Sequence, residues 1–544
     1  EGREKKCLNQ QEAYVIIMLI YATMNVIQKE RENMVHDGII FATICVYMLG
    51  MIGIGFMVSG KNKTSSDFYL GGRKLGPLVT AMSAEASDMS GWLLMGLPAV
   101  AMMGGLPEAV WTATGLAIGT YLNWLFVAKR LRIYSHKIDA FTIPDFFAKR
   151  FGDKAHILTL IAAVMIVIFF IPYTASGFAA CGKLFSSLFN MDYMTAMLIS
   201  AAVIIVYCTL GGFLAASTTD FIQSIIMTIA LFVVVGFGEG VVHGFPQVFE
   251  NVKNMDGYLN LFKGFDVVTQ TTTSYGALAV FSTLAWGLGY FGMPHILLRF
   301  MAIEDEKKLK TSRRVASIWV VISMAVAILI GVIGFSLMKN GVLPTYESAS
   351  AGETIIVDIA KVISTYGWIP AVTGGIILAG ILASTMSTAD SQLLAAASSI
   401  SQNLVQEVFK VKLSQKVSMW LARLSVVAIS IVAIFLARDP NSSVFRIVSF
   451  AWAGFGAVFG PVVLCALFWK RANRNGAIAG MLTGGVMVFF WKFVIRTSFA
   501  GTVLDIYELL PAFLLALAAI IIVSLATKAP EKEIVDVFEE VEKM

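Results

Sequence analysis

Thirteen stretches of about twenty or more mostly apolar residues punctuate the chain, and they restrict it more than any motif does. They run near 38–58, 77–104, 108–128, 156–184, 194–214, 219–238, 271–297, 316–338, 368–399, 416–436, 443–468, 475–496 and 507–526. A helix needs about 20 apolar residues to cross the hydrocarbon core of a bilayer. The runs are continuous and do not alternate, which excludes a membrane β-barrel. Composition agrees: 57% of the 544 residues are hydrophobic and 14% are charged, against roughly 25% charged in soluble domains. The mean hydropathy is +0.76. The expected fold is an all-α membrane protein with about 13 transmembrane helices. A disordered chain, a disulfide scaffold and a nucleic-acid-binding domain are excluded. The five cysteines are scattered and form no CxxC or zinc spacing.

Lysine and arginine crowd alternate loops, about 23 in one set against 8 in the other. The first set holds Arg73, Arg130, Lys137, Arg299 and Lys470; the second holds Lys183, Lys253 and Lys361. Positive charge marks the cytoplasmic side. The N-terminus is therefore expected outside and the C-terminus inside, in a multi-pass protein of the cell membrane. Three regions are expected: an N-terminal extension over 1–33, read as a mis-set translation start before Met34; a transmembrane domain over 34–527; and a charged cytoplasmic tail over 528–544, solvated as a helix or disordered.

Carboxylates inside spans are costly, so each marks a candidate site. Glu85 and Asp88 fall in the second run, Asp220 at the start of the sixth, and Asp390 in the ninth. The second run, VTAMSAEASDMSGWLLMGLP, packs Ser83, Ser87, Ser90 and Gly91 around Asp88. Such residues favour an unwound turn, whose carbonyls can hold a cation and whose N–H groups can hold a carboxylate. In the ninth run Ser384, Ser387, Thr388 and Ser391 share one helical face, a hard-oxygen stripe suited to an alkali cation. The seventh run combines Gly287, Gly289, Gly292 and Pro294 with Trp286, Tyr290 and Phe291: helix breakers beside a stacking surface. Two interrupted helices separated by four others predict an inverted repeat of five plus five, over about 77–238 and 271–468, as in secondary transporters. No GxxxxGK[ST] phosphate loop and no TVGYG filter is present. Nor does any nucleophile–base pair suggest an enzyme.

The segments FYLGGRKLGP (68–77), SDMSGWLLMGLP (87–98), AWGLGYFG with PHI (285–296) and MSTADSQLL (386–394) resemble the sodium/solute symporter family, most closely its proline-transporting bacterial branch. The resemblance implies a LeuT-type core and alternating access driven by inward sodium movement, with no organic cofactor. It implies sodium ligation by the carbonyls of Ala86, Met89 and Ser384 and the hydroxyls of Ser387 and Thr388. Asp88 and Arg73 would support that site. Ser90, Gly91, Tyr173, Trp286, Tyr290 and Pro294 would line the pocket for a small amino acid, with proline expected. Asp220, with Ser387 and Ser391, matches a second sodium site of relatives. There Asp390 replaces a serine and would strengthen the cation site or, if the two acids repel, make it a proton site. Glu85, Met293 and Asp390 depart from the family pattern. Glu85 has three readings: a proton carrier, a partner for a basic group on another amino acid, or an acid hydrogen-bonded to a neighbouring helix. The alternative function is symport of another zwitterion with protons, or with protons and sodium. Oligomeric state is not legible.

Overall fold

The computed structural model describes residues 34–55, 57, 69–210 and 212–544. The 1–33 extension lies outside them. Over the described residues the thirteen apolar runs fall mostly in helices, but the start of the seventh, 271–276, lies in a strand and a turn. Among the described residues nine single helices are long and apolar enough to cross a membrane. A pair bent by 47°, Ala277–Gly292 with Pro294–Ala302, makes a tenth. By length and composition this is three fewer than the sequence count. The remaining runs lie in the interrupted helix after Pro77, in a continuous helix over 106–137, and in Tyr193–Leu210.

In chain order the helices are α1 (Met34–Gly55), α2 (Pro77–Asp88), α3 (Trp92–Gly104), α4 (106–137), α5 (Ile143–Phe151) and α6 (Ile157–Phe189). Then come α7 (Tyr193–Leu210), α8 (Phe213–Val241), α9 (Phe245–Lys253), α10 (Ala277–Gly292), α11 (Pro294–Ala302) and α12 (Leu309–Lys339). The last are α13 (Ile355–Ser364), α14 (Trp368–Val408), α15 (Gln415–Leu436), α16 (Val444–Phe468), α17 (Arg474–Ser498), α18 (Leu509–Ala526) and α19 (Lys532–Lys543). A short antiparallel hairpin, β1 (Lys263–Asp266) and β2 (Thr271–Ser274), pairs Lys263 with Ser274.

Both interruptions occur where the residues demand them. Between α2 and α3 the ladder breaks at Met89 (ψ 67°), because the Ser90 N–H turns to the Asp88 carbonyl (2.8 Å). Ala86 O loses the partner that an unbroken helix would provide. Between α10 and α11 the chain tightens to a 3₁₀ segment over Ala285–Gly292, then extends at Met293 (ψ 109°) before Pro294 opens α11. The glycines there permit close packing as well as loosening. A Cβ on Gly287 would lie 2.2 Å from Gly115 O, and one on Gly292 2.3 Å from Phe455 O. The carbonyls released by the 3₁₀ segment are recaptured. Asn123 Nδ2 donates to Tyr290 O (2.9 Å) and Trp452 Nε1 to Trp286 O (2.7 Å), as backbone groups away from water require.

Four loop-set basic residues prove buried: Arg132, Arg150, Lys183 and Arg299. Lys183, 6% exposed, pairs with Glu353 at 2.6 Å. The Glu353 carboxylate also accepts the Val444 and Phe445 N–H groups (3.1 and 3.2 Å), so it caps α16 and complements the helix dipole. Arg299 is 1% exposed, although the charge count placed it in a loop. The 528–544 tail differs too: its helix α19 is docked, with Phe538 and Val541 buried.

Candidate functional site

The first cluster joins α2 to α14. Ser387 Oγ donates to Ala86 O (2.8 Å) and lies 3.2 Å from Ser384 O; Thr388 Oγ1 lies 3.0 Å from Ser384 O and 3.5 Å from Ala86 O. Four of the five expected sodium ligands therefore meet. The Ser384 hydroxyl turns back to Ile381 O (2.8 Å), leaving only its carbonyl facing the cluster. The fifth, Met89, stands at the break, its N–H on Glu85 O (2.8 Å). The donor set is all oxygen, neutral and buried, which fits a small hard cation and not a thiophilic or imidazole-seeking metal.

Asp88 closes α2 beside this cluster and is fully buried. Its Oδ2 accepts from Tyr290 OH (2.7 Å), and its carbonyl accepts from Tyr173 OH (3.1 Å) and Trp92 Nε1 (3.0 Å). Asp88 thus ties the α2–α3 break to the α10–α11 break through Tyr290 and to α6 through Tyr173. Ser90 and Gly91 form the break itself; a Cβ on Gly91 would lie 2.8 Å from Ala180 Cβ, which explains the absent side chain. Trp286 stacks on Tyr507 (centroids 5.3 Å apart, 22° between planes), and it also meets Phe445 at 5.3 Å and Trp92 at 6.2 Å. Tyr290 meets Trp452 edge-on at 5.0 Å. Pro294 and Met293 are buried at the second break.

Glu85 turns away from this group. Its Oε1 accepts from Trp124 Nε1 on α4 (2.9 Å), and Trp124 packs on Phe300 at 4.5 Å. This geometry favours the reading in which Glu85 bonds to a neighbouring helix. Glu85→Gln keeps an acceptor for Trp124, so we expect sodium-driven uptake to stay within about twofold of wild type, a difference below one ordinary hydrogen bond. Loss of uptake would instead make the charge functional.

Asp220, Asp390 and Ser391 do meet, around a group the sequence reading had put elsewhere. Arg299 Nη2 pairs with Asp220 Oδ2 (3.1 Å) and donates to Ser391 Oγ (2.5 Å). Its Nε donates to Ser83 Oγ (3.0 Å), which in turn donates to Asp220 (2.7 Å). Ser391 Oγ donates to Asp390 Oδ1 (3.1 Å). A protein cation therefore already sits among the expected second-site residues. Its signal was present: an arginine flanked by Leu297, Leu298, Phe300 and Met301 is an ionisable group inside an apolar run. Trp92, Trp124, Trp452, Phe445 and Tyr507 were missed because an aromatic in a span reads equally well as lipid-facing.

Arg73 stands apart from the ligand cluster. It donates to Ser135 Oγ (3.2 Å), Ser135 O (3.2 Å), Ala140 O (2.6 Å) and Met301 O (2.8 Å). It follows Gly71 and Gly72 in left-handed backbone, at φ 56°. Burial and the neighbouring Arg132 lower its pKa to about 10, which leaves it cationic at neutral pH. Its bonds pin the end of α11 to the end of α4.

The sequence profile of the sodium:solute symporter family matches residues 68–484. The chain belongs to this family. The chain is 43% identical over 509 residues to a sodium/proline symporter of Haemophilus influenzae, covering 92% of this chain and 97% of that protein. It is 41% identical over 495 residues to one of Salmonella typhimurium (90% and 93%). It is also 41% identical over 508 residues to the osmoregulated proline transporter OpuE of Bacillus subtilis (93% and 98%). Among solved structures, a Na⁺-coupled sialic acid symporter in a substrate-bound outward-open state superposes with a TM-score of 0.75 at 19% identity, covering 91% of this chain and 98% of that one. MhsT in complex with L-phenylalanine superposes at 0.51 and 13% identity, covering 83% and 99%. These two likenesses bear on the fold, which is of the LeuT type. The protein is a multi-pass membrane transporter of a sodium-coupled family and not an enzyme.

Proposed function

We propose that the protein takes up L-proline together with sodium by alternating access. The observation that carries this reading is the meeting of Ala86 O, Ser384 O, Ser387 Oγ and Thr388 Oγ1 across α2 and α14, directly beside Ser90 and Gly91. Substrate identity rests on the proline transporters matched at about 40% identity over most of both chains.

Each hydroxyl in the cluster now lies within hydrogen-bond reach of a carbonyl. When sodium enters, the hydroxyl hydrogens rotate away, and the same oxygens, with Met89 O, turn lone pairs to the ion. This locks α2 onto α14 and fixes the break. The substrate carboxylate is held by N–H groups at the start of α3, where the helix dipole favours an anion. The proline ring lies among Trp286, Tyr290 and Pro294, and Tyr173 closes the α6 side. Asp88 balances the added positive charge and aligns both tyrosines. Arg73 acts at a distance, by fixing the inner ends of α4 and α11.

Thirteen spans, with repeats near 77–238 and 271–468, complete the architecture in this reading. The N-terminus is outside and the C-terminus inside, in the plasma membrane. The loop charge bias supports this orientation. So does the basic face built by Arg130, Lys137, Arg150, Lys154 and Lys470, on which the tail lies. Asp220, Asp390 and Ser391 form the secondary cation or proton site. Asp390 lines a small cavity with Tyr207, Cys208 and Thr219.

Equilibrium binding tests the pairing. Labelled proline should bind purified protein in sodium and lose at least about tenfold in affinity in potassium, a loss of about 1.4 kcal/mol in coupling. Equal binding in both salts would contradict the proposal.

A further inference from the structure

α19 lies across the inner ends of the two helices that reach the site from opposite sides. One face of it is apolar: Phe538 packs on Tyr134 of α4 (centroids 6.4 Å) and lies under the Arg150 guanidinium of α5 at 5.0 Å. Just before the helix core, Ile534 reaches Gly152, where an added Cβ would approach its Cδ1 to 2.5 Å. The other face is acidic and meets a basic ring. Glu540 pairs with Lys137 (2.7 Å), Glu542 with Arg130 (3.4 Å), Glu539 with Lys470 (3.2 Å) and Glu531 with Lys154 (3.4 Å). These partners come from α4, from the turn after α16, and from the turn before α6.

The helices so joined are those that grip the broken segments further in. α4 holds Tyr290 O through Asn123 and Glu85 through Trp124. α16 holds Trp286 O through Trp452 and packs Phe445 on Trp286. Their inner ends are tied to each other directly, since Arg130 donates to Leu467 O (2.7 Å), and α19 is laid over that seam. An inner opening between α4 and α16 must slide one set of α19 contacts past the other.

We infer that α19 is a strap that holds the inner ends of α4 and α16 together and slows inward opening, with ionic strength on the inner face as its control. The inference rests on the alternating-access reading. Exposed ion pairs are individually weak and screened by salt, so the strap is a brake and not a lock. Phe538 and Ile534 keep it seated while the charges set its grip.

The test follows the inner gap itself, so it stands apart from substrate identity. Spin labels at His136→Cys and Asn475→Cys, both exposed positions, report the distance between the ends of α4 and α17 in full-length protein whose native cysteines are replaced. Reversing three strap charges (Glu539→Lys, Glu540→Lys, Glu542→Lys) should raise the wide-gap population by about three- to tenfold, the sum of a few weak pairs. Raising salt should widen the gap in wild type and narrow it in the triple variant, where it screens the like charges now facing each other. Exchanging one pair, Lys470→Glu with Glu539→Lys, should restore the narrow distribution relative to either single change. A distance distribution that neither salt nor charge reversal shifts would overturn the inference. So would a shift equally large in the exchanged pair. If proline proves not to be the substrate, the distances still decide the strap.

Discussion

Replacing Ser387 and Thr388 together with alanine should raise the sodium concentration for half-maximal uptake by about a hundredfold. Each hydroxyl is a ligand to a desolvated cation, and a hydrogen bond or contact to a charged group contributes about 1.5 kcal/mol or more, roughly tenfold in affinity. The matched control is Ser384→Ala. The Ser384 hydroxyl bonds back to Ile381 O and only its carbonyl faces the cluster, so sodium affinity should change by less than about threefold, within the few tenths of a kcal/mol typical of lost local contacts. Sodium titration of uptake at saturating substrate measures both. Equal losses in the two variants would mean that the stripe is structural and that the cation binds elsewhere.

The second large effect concerns Arg299. Arg299→Gln leaves the Asp220 carboxylate fully buried with no charge to oppose it, and breaking such a pair costs about 3–5 kcal/mol. We expect a marked fall in thermal stability of the purified protein. Because the penalty belongs to the stranded charge, Arg299→Gln combined with Asp220→Asn should recover much of it. If the double variant is as unstable as the sum of the singles, the two residues act independently and the ion pair is incidental. The outcome also bears on coupling. Around Asp220 the protein supplies its own cation, so in the proposed reading the main sodium site is the cluster at Ala86 and Ser384 and the Asp220 group is secondary to it.

What could be read in advance follows from what each level of physics records. Apolar runs are written in one dimension, so the helices were legible. The two breaks were legible because serine, aspartate, glycine and proline carry their backbone preferences wherever they stand. The α14 stripe was legible as a helical period. The partner of each stripe residue was not: that Ser387 meets Ala86 O depends on the α2 break freeing that carbonyl, which only the folded packing of α2 on α14 displays. Arg299 shows the limit most clearly. Charge counting sees a basic residue near a span end and assigns it to a loop, whereas in the structure its guanidinium is consumed by Asp220, Ser83 and Ser391. The tail is the converse case. Its acidic residues read as solvated, yet the period that places Ile534, Phe538 and Val541 on one face is a docking surface once a basic ring is found to receive the other. Glu85 needed the structure to choose among three roles, since nothing in the sequence ties it to Trp124.

The central claim is that a sodium gradient alone drives proline across the membrane through this protein, and uptake into proteoliposomes measures it most directly. With labelled proline outside and equal pH on both sides, an inward sodium gradient should produce transient accumulation above equilibrium, which vanishes when potassium replaces sodium. A proton gradient imposed without sodium should leave the label at equilibrium. Accumulation under the proton gradient alone, or none under the sodium gradient, would contradict the account.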